Sequence, residues 1–361
     1  MSAIVRVELG ARSYEACVAP GAIEQLDAQV RAAGVRDFSA VALVADAAVA
    51  PVALVAERAL ARLGVPVHPI VLDVSEQSKS PEGLGAVYER FASAGLDRAS
   101  LVVALGGGVT GDLAGYAAAT YLRGIRWLPV PTTLLAAVDA AIGGKTGINL
   151  PRGKNLIGAF HQPVRVVVDP FVLASLPQRE RISGFGEMLK YGLSLDPALW
   201  ERLSAGGSEA LDPGAIARCI ALKAGIVSQD EFETGGVREV LNFGHTVGHA
   251  IEAVTGYAHY RHGEAVVLGM RAAVRISALR GLLDPTVADD IDAGLARVPL
   301  PAPMPFDLEG IVAATTHDKK RRGGATRVVL LTAIGATVLD AGVDRATIRA
   351  ALEFLPQASA A

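Results

Sequence analysis

The sequence predicts an α/β first half, Rossmann-like with a mostly parallel sheet, followed by an all-α second half. Three observations lead there. Short apolar strand candidates alternate with helical stretches through residues 1–177, the pattern of a parallel sheet covered on both faces. One of these strands runs into a glycine-rich turn at 106–111. From Gln178 onward, apolar residues recur mainly at helical spacing. A chain of 361 residues suits two domains of ordinary size, and the change of character after Pro177 sets the boundary at 177/178.

Taken in order, Ile4–Leu9 alternates apolar and polar residues, Gly10–Ser13 turns, and Tyr14–Val18 pairs back as a hairpin. Strands are expected at Ala40–Ala45, Val65–Leu72, Leu101–Leu105, Trp127–Val130 and Arg165–Val168. Helices are expected around Ile23–Ala33, Ala50–Leu63, Pro81–Ala94, Thr110–Tyr121 and Thr132–Ala140. Such sheets bind ligands beyond the carboxyl ends of their strands. In the second half, Ile216, Ile220, Ala224 and Val227 mark one helical face, and Val266, Met270 and Val274 another. Val328–Leu331 is an isolated apolar segment suited to a strand.

Apolar residues make up 51% and charged residues 20%, which supports a large core and excludes a disordered chain. The net charge of -3 gives no basic excess, so nucleic acid is not the expected partner. The longest apolar stretch, Val41–Ala56, contains Asp46 and Pro51, and no membrane span is expected. The first residues show no charged head followed by an apolar block, hence no signal peptide is expected. Cys17 and Cys219 are far apart in sequence and suit a reducing compartment. A cytoplasmic location follows. Of the 34 basic residues only seven are lysines. Arginine is the generic surface cation, so the lysines are candidates for work that needs a compact ammonium.

Leu101–Asp112 reads LVVALGGGVTGD. Gly106, Gly108 and Gly111 match G-x-G-x-x-G in a strand–turn–helix setting. Glycine admits a phosphate close to the backbone, and the helix N-terminus offers free N–H groups and a positive dipole. This points to a dinucleotide or another phosphate compound, against the plainer reading of a tight turn. Asp46 and the segment Asp73–Lys79 sit where they can close over the rest of a nucleotide. Next, Gly143-Gly144-Lys145-Thr146 suggests a P-loop, but that motif needs glycine where Asp139 stands. What remains is a flexible glycine segment aiming Lys145 at an anion near Asp139, with Lys154 and Asn155 following on a second glycine-rich connection. The pair suits a polyhydroxylated anion.

Glu187 and Lys190 share one helical face. Alone they read as an exposed pair worth about 0.3–0.5 kcal/mol. The next segment changes their weight. His245 and His249 are four apart, His259 and His262 follow, and four of the seven histidines fall within eighteen residues. Two histidines and a carboxylate fit a catalytic metal with an open position. Spacing alone does not say which histidines ligate. Lys223, Asp230, Glu231, Glu233, Arg238 and Asn242 form a polar approach upstream of this helix. The run His317–Gly324 suits a flexible cationic lid over a phosphate.

Together these segments resemble the 3-dehydroquinate synthase family of sugar phosphate cyclases. The resemblance runs from about Asp46 to Gly324 and is carried by GGGVTGDLAGYAAATYLRG, PTTLLAAVDAAIGGKTGINLPRGKNLIGAFHQP, GFGEMLKYG, REVLNFGHTVGHAIE, HGEAV and DKKRRGG. It implies an NAD-binding first domain, a metal-binding helical second domain, an active site in the cleft between them, and a homodimer. It implies conversion of 3-deoxy-D-arabino-heptulosonate 7-phosphate to 3-dehydroquinate and phosphate, the second step of the shikimate pathway. The family route is transient oxidation by NAD, phosphate elimination, re-reduction and intramolecular aldol closure.

By the same resemblance, Glu187, His245 and His262 ligate zinc, for which cobalt often substitutes, and His249 is left for substrate or proton traffic. Arg123, Asp139, Lys145, Asn155, Lys190, Lys223, Arg238, Asn242 and one or both of Lys319 and Lys320 match substrate-contacting positions. Asp73, Glu76, Lys79, Gly107, Gly108, Val109, Thr110, Gly111, Asp112, Thr132, Thr133, Lys145, Lys154 and Ser175 match NAD-contacting positions. The chain departs from the family at Ser75, often glycine, and at Gly186, usually alanine, which implies a looser start to the metal-ligand helix. It also has Ala137, Ala140 and Ala141 where Gln and Ser are common. A sister cyclase usually changes the Gly-Gly-Lys-Thr and Gly-Lys-Asn-Leu segments, and this chain keeps both. A polyol dehydrogenase does not need Lys145, Lys154, Lys190 and Lys223 together.

Overall fold

The computed structural model describes residues 2–35, 37–205, 211–303, 307–317 and 327–356. Two compact units form: Met1–Leu176 with Leu211–Phe232, and Pro177–Ala210 with Glu233–Ala361.

The first unit runs β1 (Ala3–Val7), β2 (Tyr14–Val18), α1 (Leu26–Ala32), β3 (Val41–Asp46), α2 (Ala50–Ala61), β4 (Val67–Leu72) and α3 (Pro81–Ser93). It continues through β5 (Leu101–Gly106), α4 (Gly108–Thr120), β6 (Arg126–Pro131), β7 (Lys145–Leu150), β8 (Gly153–Phe160), β9 (Arg165–Val168) and α5 (Pro170–Ala174). β4-β3-β5-β6 form a parallel sheet. Strand alternation divides its side chains between two apolar layers. Val41, Leu43, Val103 and Leu105 enter one core, and Ala42, Val44, Val102 and Ala104 the other. β1 pairs antiparallel with β2, and β2 parallel with β9.

The second unit begins with α6 (Gln178–Leu195) and α7 (Pro197–Ser204). α8 (Pro213–Gln229) belongs instead to the first unit, where it packs on β1 and β2. The sequence boundary at 177/178 assigns this helix to the second half; its buried face, Ile216, Cys219, Ile220 and Val227, has the same helical spacing wherever it docks. The second unit then resumes with α9 (His245–Val254), α10 (His262–Leu279), α11 (Pro285–Leu295), α12 (Leu308–His317), β10 (Val328–Ala333), β11 (Ala336–Asp340) and α13 (Arg345–Glu353). It is mostly helical, and the apolar segment at Val328 is one arm of an antiparallel hairpin. A recurrent device starts the helices: Ser80, Asp169, Asp196, Asp212 and Asp284 cap the next turn through side-chain oxygens, with proline in the first turn.

Two local readings change. The expected helix at Thr132–Ala140 is mostly a π-turn over Ala136–Ala140. The glycine-rich connections carrying Lys145 and Lys154 are the strands β7 and β8, paired antiparallel with Gly147 opposite Gly158. A Cβ on either glycine would strike the facing backbone, so these glycines serve close strand contact, not flexibility.

Candidate active site

In the first unit, β5 ends at Gly106 and Gly107 caps α4 in extended backbone. The Gly111 N–H reaches the Gly107 carbonyl at 3.0 Å. The N–H groups of Gly108, Val109 and Thr110 therefore lack intrahelical acceptors at the positive end of the helix. The geometry demands glycine at 106, where a Cβ would collide with the Thr110 side chain; Gly111 has open space. The Thr110 hydroxyl is buried and has no hydrogen-bond partner among the described residues. The Thr132 N–H bonds the Gly106 carbonyl at 2.9 Å, and the Thr133 methyl would lie 3.2 Å from a Cβ on Gly107. An unsatisfied buried hydroxyl beside three unspent N–H groups fits a phosphate compound.

Lys79 is buried beside this turn. Its ammonium donates to Asp112 Oδ2 at 2.5 Å and to Asn155 Oδ1 at 2.5 Å. Burial raises the Asp112 carboxyl above the usual carboxylate range, against the opposing Lys79 charge. Asn149 Oδ1 accepts the Asn155 N–H at 2.8 Å, and Asn149 Nδ2 donates to Glu76 Oε1 at 2.7 Å. Lys154 lies 3.9 Å from the same Glu76 oxygen. Glu76, Lys79, Asp112, Lys154 and Asn155 thus share one polar network. Asp73 and Ser175 are exposed, and no described hydrogen bond or ion pair joins them to it. Arg123 is exposed just past the C-terminal end of α4, with φ of 70°. A helix of that length puts it about 20 Å from the glycine turn.

A second cluster lies at the π-turn. Lys223 on α8 is buried and donates to Asp139 Oδ1 at 2.6 Å and to the Asp139 carbonyl at 2.7 Å. The Gly143–Gly144 turn is fixed: Tyr14 OH accepts the Gly143 N–H at 3.0 Å, and the Gly144 carbonyl accepts the His161 N–H at 2.8 Å. Lys145 leaves this turn exposed. It lines a shallow hollow together with Gly107, Asp112, Trp127 and Ala140. Glu231 is held by Arg12 at 2.7 Å and by Gln162 at 3.1 Å.

In the second unit, glycines bring three helices together. Gly186 on α6 packs on the Gly263 carbonyl of α10, and Gly263 packs on the Ser183 carbonyl. Gly269 on α10 packs on the Gly244 carbonyl just before α9. Gly186 lies mid-helix at this crossing, so it permits contact; it does not loosen the start of α6. The approach sets Glu187 Oε1 at 3.4 Å from His245 Nε2 and 3.5 Å from His262 Nε2. The ligating atoms of His245, His249 and His262 all fall within 4.8 Å of one another. His249 is exposed. Glu187 and Lys190 are both buried and ion-paired, unlike the exposed pair their spacing alone suggests. Arg238 is buried and Asn242 exposed on the turn before α9. Lys319 and Lys320 lie outside the described residues.

The donor set suits a divalent ion. Tetrahedral zinc with nitrogen and oxygen ligands at about 2.0–2.1 Å holds its donors about 3.3–3.4 Å apart. The His245 Nδ1 faces the Phe243 carbonyl at 3.1 Å, and the His262 Nδ1 faces Glu252 Oε2 at 3.3 Å. Each contact fixes the ring and turns Nε2 toward Glu187. Burial drives His245 down to about 3, keeping it neutral. Burial also disfavours the His262 cation, but hydrogen bonds and charge from Glu187 and Glu252 lift it to about 10.

Sequence reasoning missed Asn149 and Glu252. Reading 145–150 as a strand puts Asn149 on the face of Lys145. Glu252 lies two helical turns after His245, on the same face.

Residues 69–183 match the family profile described as 3-dehydroquinate synthase N-terminal, and residues 184–321 match its C-terminal counterpart. The chain belongs to the 3-dehydroquinate synthase family. A curated 3-dehydroquinate synthase from Geobacter sp. (strain M21) is 43% identical over 94% of this chain and 98% of its own. Among solved structures, 2-deoxy-scyllo-inosose synthase complexed with carbaglucose-6-phosphate, NAD+ and Co2+ matches with a TM-score of 0.85 and 26% identity, over 97% of this chain and 99% of that one. The 2-epi-5-epi-valiolone synthase from Streptomyces hygroscopicus subsp. jinggangensis 5008, with NAD+ and Zn2+ bound, matches with a TM-score of 0.83 and 29% identity, over 96% of each chain. This 3-dehydroquinate synthase family member is more similar to the dehydroquinate enzyme than to the two sister cyclases.

Proposed function

We propose that this chain converts 3-deoxy-D-arabino-heptulosonate 7-phosphate to 3-dehydroquinate and phosphate, using NAD and one divalent ion, zinc or cobalt. The observation that carries the reading is the buried Glu187 carboxylate, set at metal-donor spacing from two oriented imidazoles and beside a buried lysine. The 43% identity to a dehydroquinate enzyme over nearly the whole chain favours this substrate over those of the sister cyclases at 26% and 29%. When bound, NAD supplies a reversible hydride acceptor and the metal a Lewis acid.

Glu187, His245 and His262 would hold the ion. Glu187 adds a buried carboxylate oxygen 3.4 and 3.5 Å from the two imidazole nitrogens, which leaves His249 to hold or pass a proton at its exposed ring. Lys190 and Lys223, each held by a carboxylate, and the exposed Lys145 offer ammonium groups for phosphate and carboxylate. Asp139 and Asn155 orient Lys223 and Lys79 respectively. Arg238, Asn242 and one or both of Lys319 and Lys320 complete the substrate assignment. The N–H groups of Gly108, Val109 and Thr110, with Glu76, Lys79, Asp112, Thr132, Thr133 and Lys154, are the dinucleotide assignment. We further propose a cytoplasmic homodimer; no helix among the described residues is long and apolar enough to cross a membrane, and both cysteines are free.

The test is phosphate release from the heptulosonate phosphate with catalytic NAD and metal. Phosphate is expected to accumulate with no net NADH, and a chelator to suppress it until metal is restored. NADH forming in step with substrate consumed would instead identify a dehydrogenase.

A further inference from the structure

The first turn of α10 carries His262, and an unusual set of contacts pins it to α6, the helix of Glu187. Glu264 is fully buried. Arg179, in the first turn of α6, grips both its oxygens, Nε to Oε1 at 2.9 Å and Nη2 to Oε2 at 2.6 Å. The same Nη2 donates to the His259 carbonyl at 2.6 Å, so one guanidinium holds both the loop entering α10 and its first turn. Glu264 Oε2 also accepts the Arg261 N–H at 2.8 Å. Farther along α6, Ser183 Oγ accepts the Gly263 N–H at 3.0 Å, and Gly186 meets the Gly263 carbonyl. Residues 179, 183 and 186 are spaced by four and three, one face of a helix. Glu187 is the next residue.

We infer that Arg179 is a positioning residue for the metal centre: through Glu264 and the His259 carbonyl, it sets His262 against the helix that carries Glu187. It is none of the proposed metal ligands or substrate-contacting residues. The bidentate fork matters because it fixes orientation as well as distance, which a point charge does not. A metal site needs its donors held within a few tenths of an ångström, and that precision comes from the residues behind the ligands. The inference rests on the proposed ligand set of Glu187, His245 and His262.

The test compares Arg179→Lys and Glu264→Gln with the wild-type full chain. The metal-free proteins are titrated with zinc against a chromophoric chelator, and the visible spectrum of the cobalt-loaded proteins is recorded. Arg271→Lys is the control: Arg271 makes an equally bidentate pair with Asp292, at 2.7 and 3.0 Å, farther along the same α10. We expect the zinc Kd to rise about tenfold in both test variants, with a changed cobalt spectrum. The control should lose comparable stability and keep wild-type Kd and spectrum. Wild-type Kd and spectrum in folded Arg179→Lys and Glu264→Gln overturn the inference. Equal weakening in Arg271→Lys also overturns it, by reducing the effect to general loosening. If either test variant fails to fold, Ser183→Ala, which removes only the bond to the Gly263 N–H, is read on the same scale, and unchanged Kd there counts against the inference. Failure of His262→Ala to weaken zinc binding in the wild-type background would sink the ligand assignment itself, a distinguishable result.

Discussion

His262 sits between two carboxylates, Glu187 and Glu252, which lift its pKa to about 10, so in the metal-free chain this proposed ligand carries a proton at neutral pH. A ligating imidazole must be neutral, so the ion and this proton compete for one nitrogen. As pH rises toward the folded pKa, less work is spent removing the proton, and apparent zinc affinity should climb about tenfold per pH unit where this group alone titrates. His245, already neutral, adds no such term. Calorimetry at pH 7 in buffers of different ionisation enthalpy should find close to one proton released per zinc bound. No proton release would mean that His262 is neutral before the metal arrives. In the metal-free protein the same shift gives stability that is full below about 6.5 and lost as pH rises through about 10.

At the scale of elements, the second unit depends on glycines that let helices touch. Gly263→Ala would drive a methyl into the Ser183 carbonyl, and neither backbone can yield without separating α6 from α10. We expect a cost of about 1–3 kcal/mol in urea unfolding together with weaker metal binding. Gly85, inside α3, has open space around its Cβ position and no left-handed φ, so Gly85→Ala should stabilise by about 0.4–1 kcal/mol. Equal effects from the two variants would show that helix propensity, and not contact, decides. The same contrast explains what was legible in the sequence. The β3–β6 core and α2–α4 were readable because mostly apolar strands and helical periodicity are local signals. The histidine cluster was readable by its spacing. The β7–β8 hairpin was not, since Gly147 and Gly158 look like flexible residues until the facing strand is known. Nor was the placement of α8, whose apolar face does not record which unit receives it. Lys190 and Glu187 were paired by spacing, but their burial is a tertiary fact.

At the scale of the whole chain, stability against acid should carry the signature of one histidine outside the proposed ligand set. His161 is packed in the first unit, with its ring near-parallel to Trp127 at 6.4 Å and Nε2 facing the Ile125 carbonyl at 2.8 Å. Burial lowers its pKa below the ordinary histidine value, against a smaller opposing effect of that hydrogen bond. The unfolded chain takes up this proton near pH 6.5, and the folded chain does so only at lower pH. The stability linked to His161 is therefore intact above about 6.5 and drains away as pH falls toward the depressed folded value. The carboxylates with lowered pKa, Asp27, Glu82, Asp97 and Asp344, act at more acidic pH, and the raised Asp112 carboxyl is common to both proteins compared. His161→Gln has no ring to titrate, and its amide can still donate to the Ile125 carbonyl. Urea midpoints of the two metal-loaded proteins, measured from pH 7.5 to 5, should converge as the pH drops, with wild type falling faster. Parallel curves would place the acid sensitivity elsewhere, with metal release from His262 as the first alternative to measure.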